Sequence, residues 1–260
     1  MIGMTESAPP ARHGRRRVRR RARLSPLTVF GELLLLGGLG VLGYMIWQPW
    51  YTGFVVQGQQ NDLAAEESDR WRQAAEAEEQ PSIDGIPVVD RPEPGEVFAN
   101  LYVPAFGETF SNRITYSTEQ YIIDSGDHGI GQYDVTQMPG EPGNFAIAAH
   151  RNGPIIAPFR EVMNLRIGDG MFIETPKGWY TYRFRDLEYV WPDEFDVTNP
   201  FPRLDGTPGE DQILTLTTCH PKWAGSEERA IAYAVLEDFQ PLSEGPPAEL
   251  AEQNPNVEGA

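Results

Sequence analysis

The sequence predicts a mainly β protein, a small barrel or sandwich, joined to a membrane by one N-terminal helix. Between about residues 98 and 240, short segments rich in β-branched and aromatic residues alternate with Gly, Pro, Asn or Asp, a pattern typical of strands and turns. Many strands with few helices favour a barrel or a sandwich. Ahead of them, one apolar run of 21 residues follows an arginine-rich segment.

Residues 27–47 have the length and composition of a membrane-spanning helix. The run LTVFGELLLLGGLGVLGYMIW contains one charged residue, Glu32, and about 20 residues at 1.5 Å each cross the hydrocarbon core. Aromatic residues, favoured at the headgroup level, cluster at its far end: Tyr44, Trp47, Trp50 and Tyr51. A cleaved signal peptide is the alternative, but the run is longer than a typical signal core and no A-x-A-like site follows closely. We therefore expect an uncleaved anchor.

Charge is distributed unevenly along the chain. Residues 1–24 contain eight arginines and one acid, which leaves 13 basic and 37 acidic side chains for the remainder. A basic arm alone is also typical of nucleic-acid binding, but this one precedes an apolar span. Arginines before the span and acids after it follow the positive-inside rule. We expect residues 1–26 to be a cytoplasmic arm, the bulk of the chain to lie outside the cell, and no nucleic-acid partner.

Two acidic segments flank the predicted β domain of residues 98–240. Residues 48–97 contain an Ala-, Glu- and Gln-rich part without a wide apolar stripe, which favours a solvated helical stalk. A proline-rich part follows and predicts a stiff, extended linker. Residues 241–260 are acidic, proline-bearing and poor in large apolar side chains, so they are predicted to be a disordered tail.

The pattern within the β domain gives individual elements. A hairpin turn is predicted at TPKGW, 175–179, and the clearest helical piece is APFREVMNLRIGD, 157–169. The predicted strands are ANLYVPAF (99–106), QYIID (120–124), NFAIAAH (144–150), GMFIET (170–175), WYTYRFRDLEYV (179–190), QILTLTTC (212–219) and RAIAYAVLEDF (229–239).

Cys219 is the single cysteine of the chain and ends the run ILTLTTC. In an exported domain it has no partner for an intramolecular disulfide, so it pairs with another molecule, is buried and inert, or is reactive. A reactive thiol attacks a carbonyl as the thiolate, and it needs a neighbouring base or cation.

The histidines differ in their suitability as that base. His13 lies in the basic arm, and His220 is adjacent to Cys219, where strand alternation sends its side chain to the opposite face. His150 closes another predicted strand, and two strand ends at one rim of a barrel would bring it to Cys219. His150 and Cys219 are therefore the best pair.

An acyl-transfer site also needs donors where the oxyanion develops. Arg229 begins the strand that follows Cys219, ten residues further on, so a returning strand would place it near the same rim. The alternative is a strand-edge arginine that pairs with Glu227 or Glu228. Spacing alone leaves both interpretations open.

Other chemistries lack their motifs. The sequence contains no G-x-S-x-G, H-E-x-x-H, C-x-x-C or phosphate-binding loop. One cysteine with scattered histidines does not favour a tight zinc site, and no oxygen-ligand loop for calcium is recognisable. We expect neither a metal nor a cofactor.

Several short motifs match those of one enzyme family. They are TLTTC at the cysteine, GNFAIAAHR at the histidine and ERAIAYAVL at the arginine, with GIGQY, MPGEPGN and APFREV in the same order around the histidine. Through these motifs and its apolar anchor, the chain resembles the sortases, membrane-anchored cysteine transpeptidases of Gram-positive bacteria. It is most similar to class E of actinobacteria. One departure is Ala149, where family members often have glycine before the histidine.

The resemblance implies a closed eight-stranded β-barrel and a role for each motif residue. Cys219 would be the nucleophile, His150 the general acid/base, and Arg229 the group that positions substrate and stabilises the oxyanion. Tyr133 and Thr218 would bind substrate, and Tyr133 would favour alanine over proline at the second position of the sorting motif. For Tyr133, simple packing at the rim is the alternative.

The implied reaction cleaves the threonine–glycine bond of an LPXTG- or LAXTG-like signal at the C-terminus of exported proteins. The acyl group passes through a cysteine thioester to an amine of a peptidoglycan precursor or a pilin. Two alternatives stay open. One is a hydrolytic membrane-anchored cysteine protease, and the other is a non-catalytic, membrane-tethered binding domain.

Overall fold

The computed structural model describes residues 25–77, 85–153, 156–207, 209–223 and 226–257. The chain divides into two units, Met1–Met45 and Ile46–Ala260. The long helix α1, Pro26–Ala77, begins in the first unit. It is long and apolar enough to cross a membrane, which suits the predicted anchor. The basic arm before residue 25 lies outside the described residues.

Eight strands of the second unit form a closed barrel. Their order around the barrel is β1-β2-β3-β4-β7-β8-β6-β5, and β5 pairs with β1. The β2–β3 and β4–β7 pairs are parallel, and the others are antiparallel. The strands are β1 Val97–Tyr102, β2 Ser111–Tyr116, β3 Ile130–Gln132, β4 Gly143–Ala149, β5 Gly170–Thr175, β6 Gly178–Val190, β7 Gln212–His220 and β8 Glu228–Pro241. Closure decides between the barrel and the sandwich and confirms the eight-stranded barrel.

The apolar core fills the barrel with alternate side chains of each strand. Within β4, Phe145, Ile147 and Ala149 belong to this core, and within β7, Leu214 and Leu216 do. Because successive side chains of a strand point to opposite faces, the residues between them face outward. This alternation directs the ends of β4, β7 and β8 toward one outer surface.

The strand predictions succeed for the long apolar segments and for the hairpin, where Thr175 pairs with Gly178. The predicted strand 120–124 is wrong, since it forms the short helix α2, Gln120–Ile123. An apolar run of this length does not distinguish strand from helix by periodicity. Strands β2 and β3 were not predicted, because the first alternates polar residues with few apolar ones and the second has three residues.

The helix predicted at 157–169 is also wrong. The segment forms turns and a 3-10 helix, Val162–Asn164. Phe159, Val162 and Leu165 are all buried, and their spacing of three residues matches the period of a 3-10 helix rather than that of an α-helix.

Between Gln57 and Ala75, α1 packs against the barrel rather than forming a solvated stalk. Gln60 and Ala64 are fully buried. The Ala64 carbonyl accepts a hydrogen bond from Asn100 Nδ2 at 3.0 Å, and Ser68 Oγ donates to Glu174 Oε1 at 2.5 Å. The helix itself was predicted, but many of its contacts are made by polar side chains and its apolar contacts are few, Trp71 and Ala75 among them, so no wide apolar stripe marked them.

The C-terminal segment predicted to be disordered is ordered through residue 257. It contains a 3-10 helix, Leu242–Glu244, and a helix α3, Ala248–Gln253. Leu242 and Leu250 are buried in a cluster with Tyr102, Phe172 and Trp179. The expectation is corrected because two leucines, packed on outward-facing aromatic side chains of the barrel wall, suffice to dock a segment of low overall hydrophobicity. Residues 258–260 lie outside the described residues.

Candidate active site

The parallel pairing of β4 with β7 brings the predicted histidine and cysteine together. Ala148 of β4 lies opposite Thr217 of β7. His150 and Cys219 each lie two residues further along, in the direction of β4 and β7 respectively. Side chains at matched positions of parallel strands point to the same face, so both project from the outer surface of the barrel.

Arg229 lies beside Cys219 on the other flank. The two residues are directly opposed in the antiparallel β7–β8 pair, where facing Cβ atoms are about 5 Å apart. Arg229 Nη1 donates to the carbonyls of Ser226 at 3.0 Å and Glu228 at 3.1 Å. Among the described residues, neither Glu227 nor Glu228 forms an ion pair with it. The strand-edge ion pair considered as an alternative is therefore not formed.

A cavity of about 570 Å³ is lined by Cys219, His150 and Arg229 together; we call it the Cys219 groove. Much of its remaining lining is apolar and comes from five parts of the chain. These apolar residues are Ile123, Val135, Ala148, Val190, Trp191, Phe195, Val197 and Ile231. An apolar groove with three convergent polar groups has the composition of a substrate-binding site.

One wall of the Cys219 groove is the segment that follows β6. Trp191 and Phe195 there are 60% and 73% exposed, so they present apolar surface to whatever enters. Charged contacts fix this wall: Arg203 bonds Glu194 at 2.8 Å and Asp196 at 2.7 Å, and Glu194 also accepts from the Trp191 backbone N–H. The hydrogen bond from the Trp191 backbone N–H, together with that from Arg203, lowers the pKa of Glu194, so this carboxylate stays ionised.

His150 has a carboxylate partner that the sequence did not reveal. Its Nε2 lies 2.6 Å from Asp124 Oδ1, at the C-terminal end of α2. This hydrogen bond, with a second one from Gln120, lowers the pKa of Asp124. Sequence reasoning missed Asp124 because it assigned 120–124 to a strand, and no spacing signal connects residues 26 positions apart.

His220 makes different contacts. Its Nδ1 accepts a hydrogen bond from Arg151 Nη1 at 2.6 Å, and its ring packs against that of Tyr189 in a tilted arrangement at a centroid distance of 4.2 Å. It is not among the described residues that line the Cys219 groove. This placement agrees with the alternation argument that set His220 apart from Cys219.

The predicted substrate-binding residues lie in the groove but differ in what they offer. The Tyr133 hydroxyl is 3.0 Å from Thr217 Oγ1, so both hydroxyls form a polar pair within the groove. Thr218 is 4% exposed, and its hydroxyl donates to the Ala149 carbonyl at 2.7 Å. Tyr133 is therefore paired with Thr217, which sequence reasoning did not single out. Thr218 instead links β7 to the end of β4, next to His150.

A barrel that exposes a cysteine, a histidine and an arginine in one apolar groove defines a cysteine-dependent acyl-transfer enzyme. The family model described as the sortase domain matches residues 101–237. The chain belongs to the sortase family.

Individual relatives agree with this assignment. The chain is 29% identical over 256 residues to sortase SrtE1 of Streptomyces coelicolor, covering 94% of this chain and 69% of that protein. The solved SrtA sortase from Actinomyces oris is 34% identical with a TM-score of 0.58, covering 68% of this chain and 96% of that one. Sortase E from Streptomyces avermitilis is 32% identical with a TM-score of 0.54, covering 61% and 99%. The resemblance to class E sortases is confirmed.

Proposed function

We propose that this cysteine transpeptidase uses Cys219, His150 and Arg229 to cleave the threonine–glycine bond of an LPXTG- or LAXTG-like sorting signal. The observation that carries the assignment is that all three side chains line one groove. They arrive there from β4, β7 and β8, whose register sets Cys219 opposite Arg229.

The first half-reaction forms the acyl-enzyme. The Cys219 thiolate attacks the threonine carbonyl carbon, and an S–C bond forms as the C–N bond to glycine breaks. His150 supplies the proton that the leaving glycine amine needs. Arg229 lies beside the sulfur and donates to the carbonyl oxygen while it carries negative charge.

The second half-reaction transfers the acyl group. An amine attacks the thioester, His150 accepts the proton that the amine loses, and the sulfur leaves as Cys219 thiolate. A peptidoglycan precursor or a pilin lysine supplies this amine. The exported substrate and the acceptor both lie outside the membrane, so we place the barrel outside and residues 1–26 in the cytoplasm. The charge asymmetry supports this orientation.

The groove has surfaces for two parts of the signal. Trp191, Phe195 and Val135 offer apolar contacts for its leucine. The hydroxyl pair of Tyr133 and Thr217 also lines the groove and would contact the second residue. We assign to Tyr133 the preference for alanine over proline there.

The test uses the full-length protein in detergent with fluorogenic LAXTG and LPXTG peptides, with and without a primary amine. We expect cleavage that requires Cys219 and a ligated peptide–amine product. Hydrolysis alone, unaffected by amine, would identify a protease. Peptide binding without cleavage, unchanged in Cys219→Ala, would identify a binding domain.

A further inference from the structure

His150, which lines the Cys219 groove, contacts the carboxylate of Asp124. The 2.6 Å separation of Nε2 and Oδ1 is that of a charge-assisted hydrogen bond. Asp124 is the C-cap residue of α2 and lies in no barrel strand. It is about half exposed and close to the groove lining at Ile123.

The loop that follows Asp124 is fixed by two other elements. The Gly126 carbonyl accepts a hydrogen bond from Gln60 Nε2 of α1 at 2.5 Å, and Gln60 is fully buried. Asp127 Oδ1 accepts from Gln59 at 2.8 Å, and His128 Nδ1 lies 3.0 Å from Thr115 Oγ1 of β2. Because this loop is held in place, Asp124 loses little conformational entropy when it forms its hydrogen bond to His150.

The direction of this bond decides which nitrogen of His150 faces the chemistry. A carboxylate that accepts from Nε2–H fixes the tautomer and leaves Nδ1 as the basic nitrogen. We propose that Asp124 is a positioning residue that holds the His150 ring and its tautomer, so that Nδ1 exchanges the proton with Cys219 and with the substrate amines. This inference rests on the proposed function and adds a fourth side chain to it.

The other charged groups around His150 do not substitute for Asp124. Within the groove these are Arg229, Cys219 and Glu194, with Tyr133 as a further titratable group. Glu194 is engaged by Arg203 and the Trp191 N–H. Asp124 is thus the carboxylate, among the described residues, that stabilises the imidazolium formed in each half-reaction.

The test compares Asp124→Asn with Glu119→Gln in the full-length protein. Glu119 is an exposed acid at the start of α2 without a side-chain capping bond, so its variant removes one charge from the same element and is expected to be fully active. The asparagine variant should lose about ten- to a hundredfold in kcat with little change in KM. A general acid–base group contributes about 10² to 10⁴ in rate, and Asp124 acts on the rate only through such a group, His150. The pH–rate profile of the variant should also shift, because the imidazolium of His150 loses the anion that it contacts in the wild type.

Two further measurements separate positioning from folding. Asp124→Glu should restore part of the lost activity, and ¹⁵N spectra should show the Nε2–H tautomer of His150 in the wild type and a mixture in Asp124→Asn. Melting curves should be unchanged. A wild-type pH profile and turnover in Asp124→Asn, or an equal loss in Glu119→Gln, would overturn the inference. Failure of the proposed function would look different, since the wild type itself would not ligate peptide to amine.

Discussion

Arg151 and His220, which directly follow His150 and Cys219, are joined by a hydrogen bond of 2.6 Å from Arg151 Nη1 to His220 Nδ1. Arg151 is 5% exposed, and Tyr189 covers the imidazole. The neighbours of the two proposed catalytic side chains therefore connect the ends of β4 and β7, and neither neighbour lines the groove. This connection supports the spacing of His150 and Cys219 without contacting substrate.

The two histidines should respond differently to substitution. His150→Ala should lower turnover by about 10² to 10⁴, the usual contribution of a general acid–base group. His220→Ala leaves a buried guanidinium with one partner fewer, so it should lower the melting temperature while turnover of the folded enzyme falls less than about tenfold. Peptide cleavage and thermal melts of both variants check this. A larger kinetic loss for His220→Ala would contradict the assignment of the base.

Arg229→Lys should remain badly impaired. Lysine keeps the charge but loses the planar fork that reaches the oxyanion and the substrate backbone. Loss of one oxyanion donor costs about two to three decades in rate in other acyl-transfer sites. The melting temperature should stay nearly constant, because Arg229 bonds only backbone carbonyls of Ser226 and Glu228 in the described structure. Near-normal cleavage by this variant would show that Arg229 has a structural rather than a catalytic role.

Tyr133→Phe tests the specificity assignment. The change removes the hydroxyl that lies 3.0 Å from Thr217 and keeps the ring. We expect the ratio of kcat/KM for alanine- and proline-containing signals to fall about tenfold, in line with one lost hydrogen bond to the substrate. An unchanged ratio would leave Tyr133 as a packing residue at the rim.

Glu174→Gln should change how stability depends on pH. Glu174 is fully buried between α1 and the barrel, and burial raises its pKa, although bonds from Ser68, Asn100 and Tyr102 oppose this. The folded state therefore holds a proton that the unfolded chain releases, so stability declines as the pH rises above the ordinary glutamate value of 4.5. Glutamine keeps an acceptor and carries no charge.

Melting temperatures of the wild type and Glu174→Gln between about pH 5 and 8 measure this difference. The wild type should lose stability over that range relative to the variant, and the two curves should converge at the acid end. Parallel curves would mean that Glu174 does not bind a proton on folding.

Topology has a direct test in cells. A membrane-impermeant thiol reagent should modify Cys219 in intact cells, because the positive-inside rule places the arginine-rich arm in the cytoplasm. Cys219 is the single cysteine and is partly exposed, so the labelled site is unambiguous. Cys219→Ser is the control, and labelling that requires lysis would refute the orientation.

The sequence by itself determined the N-terminal helix that is apolar enough to span a membrane, the β class and the strand that ends at Cys219. These features depend on local patterns: a 21-residue apolar run, the period of two in ILTLTTC, and the alternation that separates Cys219 from His220. The motifs around Cys219, His150 and Arg229 pointed to the family for the same reason, since each lies within a few consecutive residues.

The tertiary structure alone decided the long-range partners. Asp124 meets His150 across 26 residues, and Ser68 meets Glu174 across 106, separations at which no periodicity carries information. The polar contacts of α1 with the barrel were not predicted. A buried polar side chain needs a specific partner, and the sequence does not show which residue that partner is. The local sequence pattern decides whether a side chain points into the barrel or outward, whereas closure of the barrel decides which residues that side chain contacts.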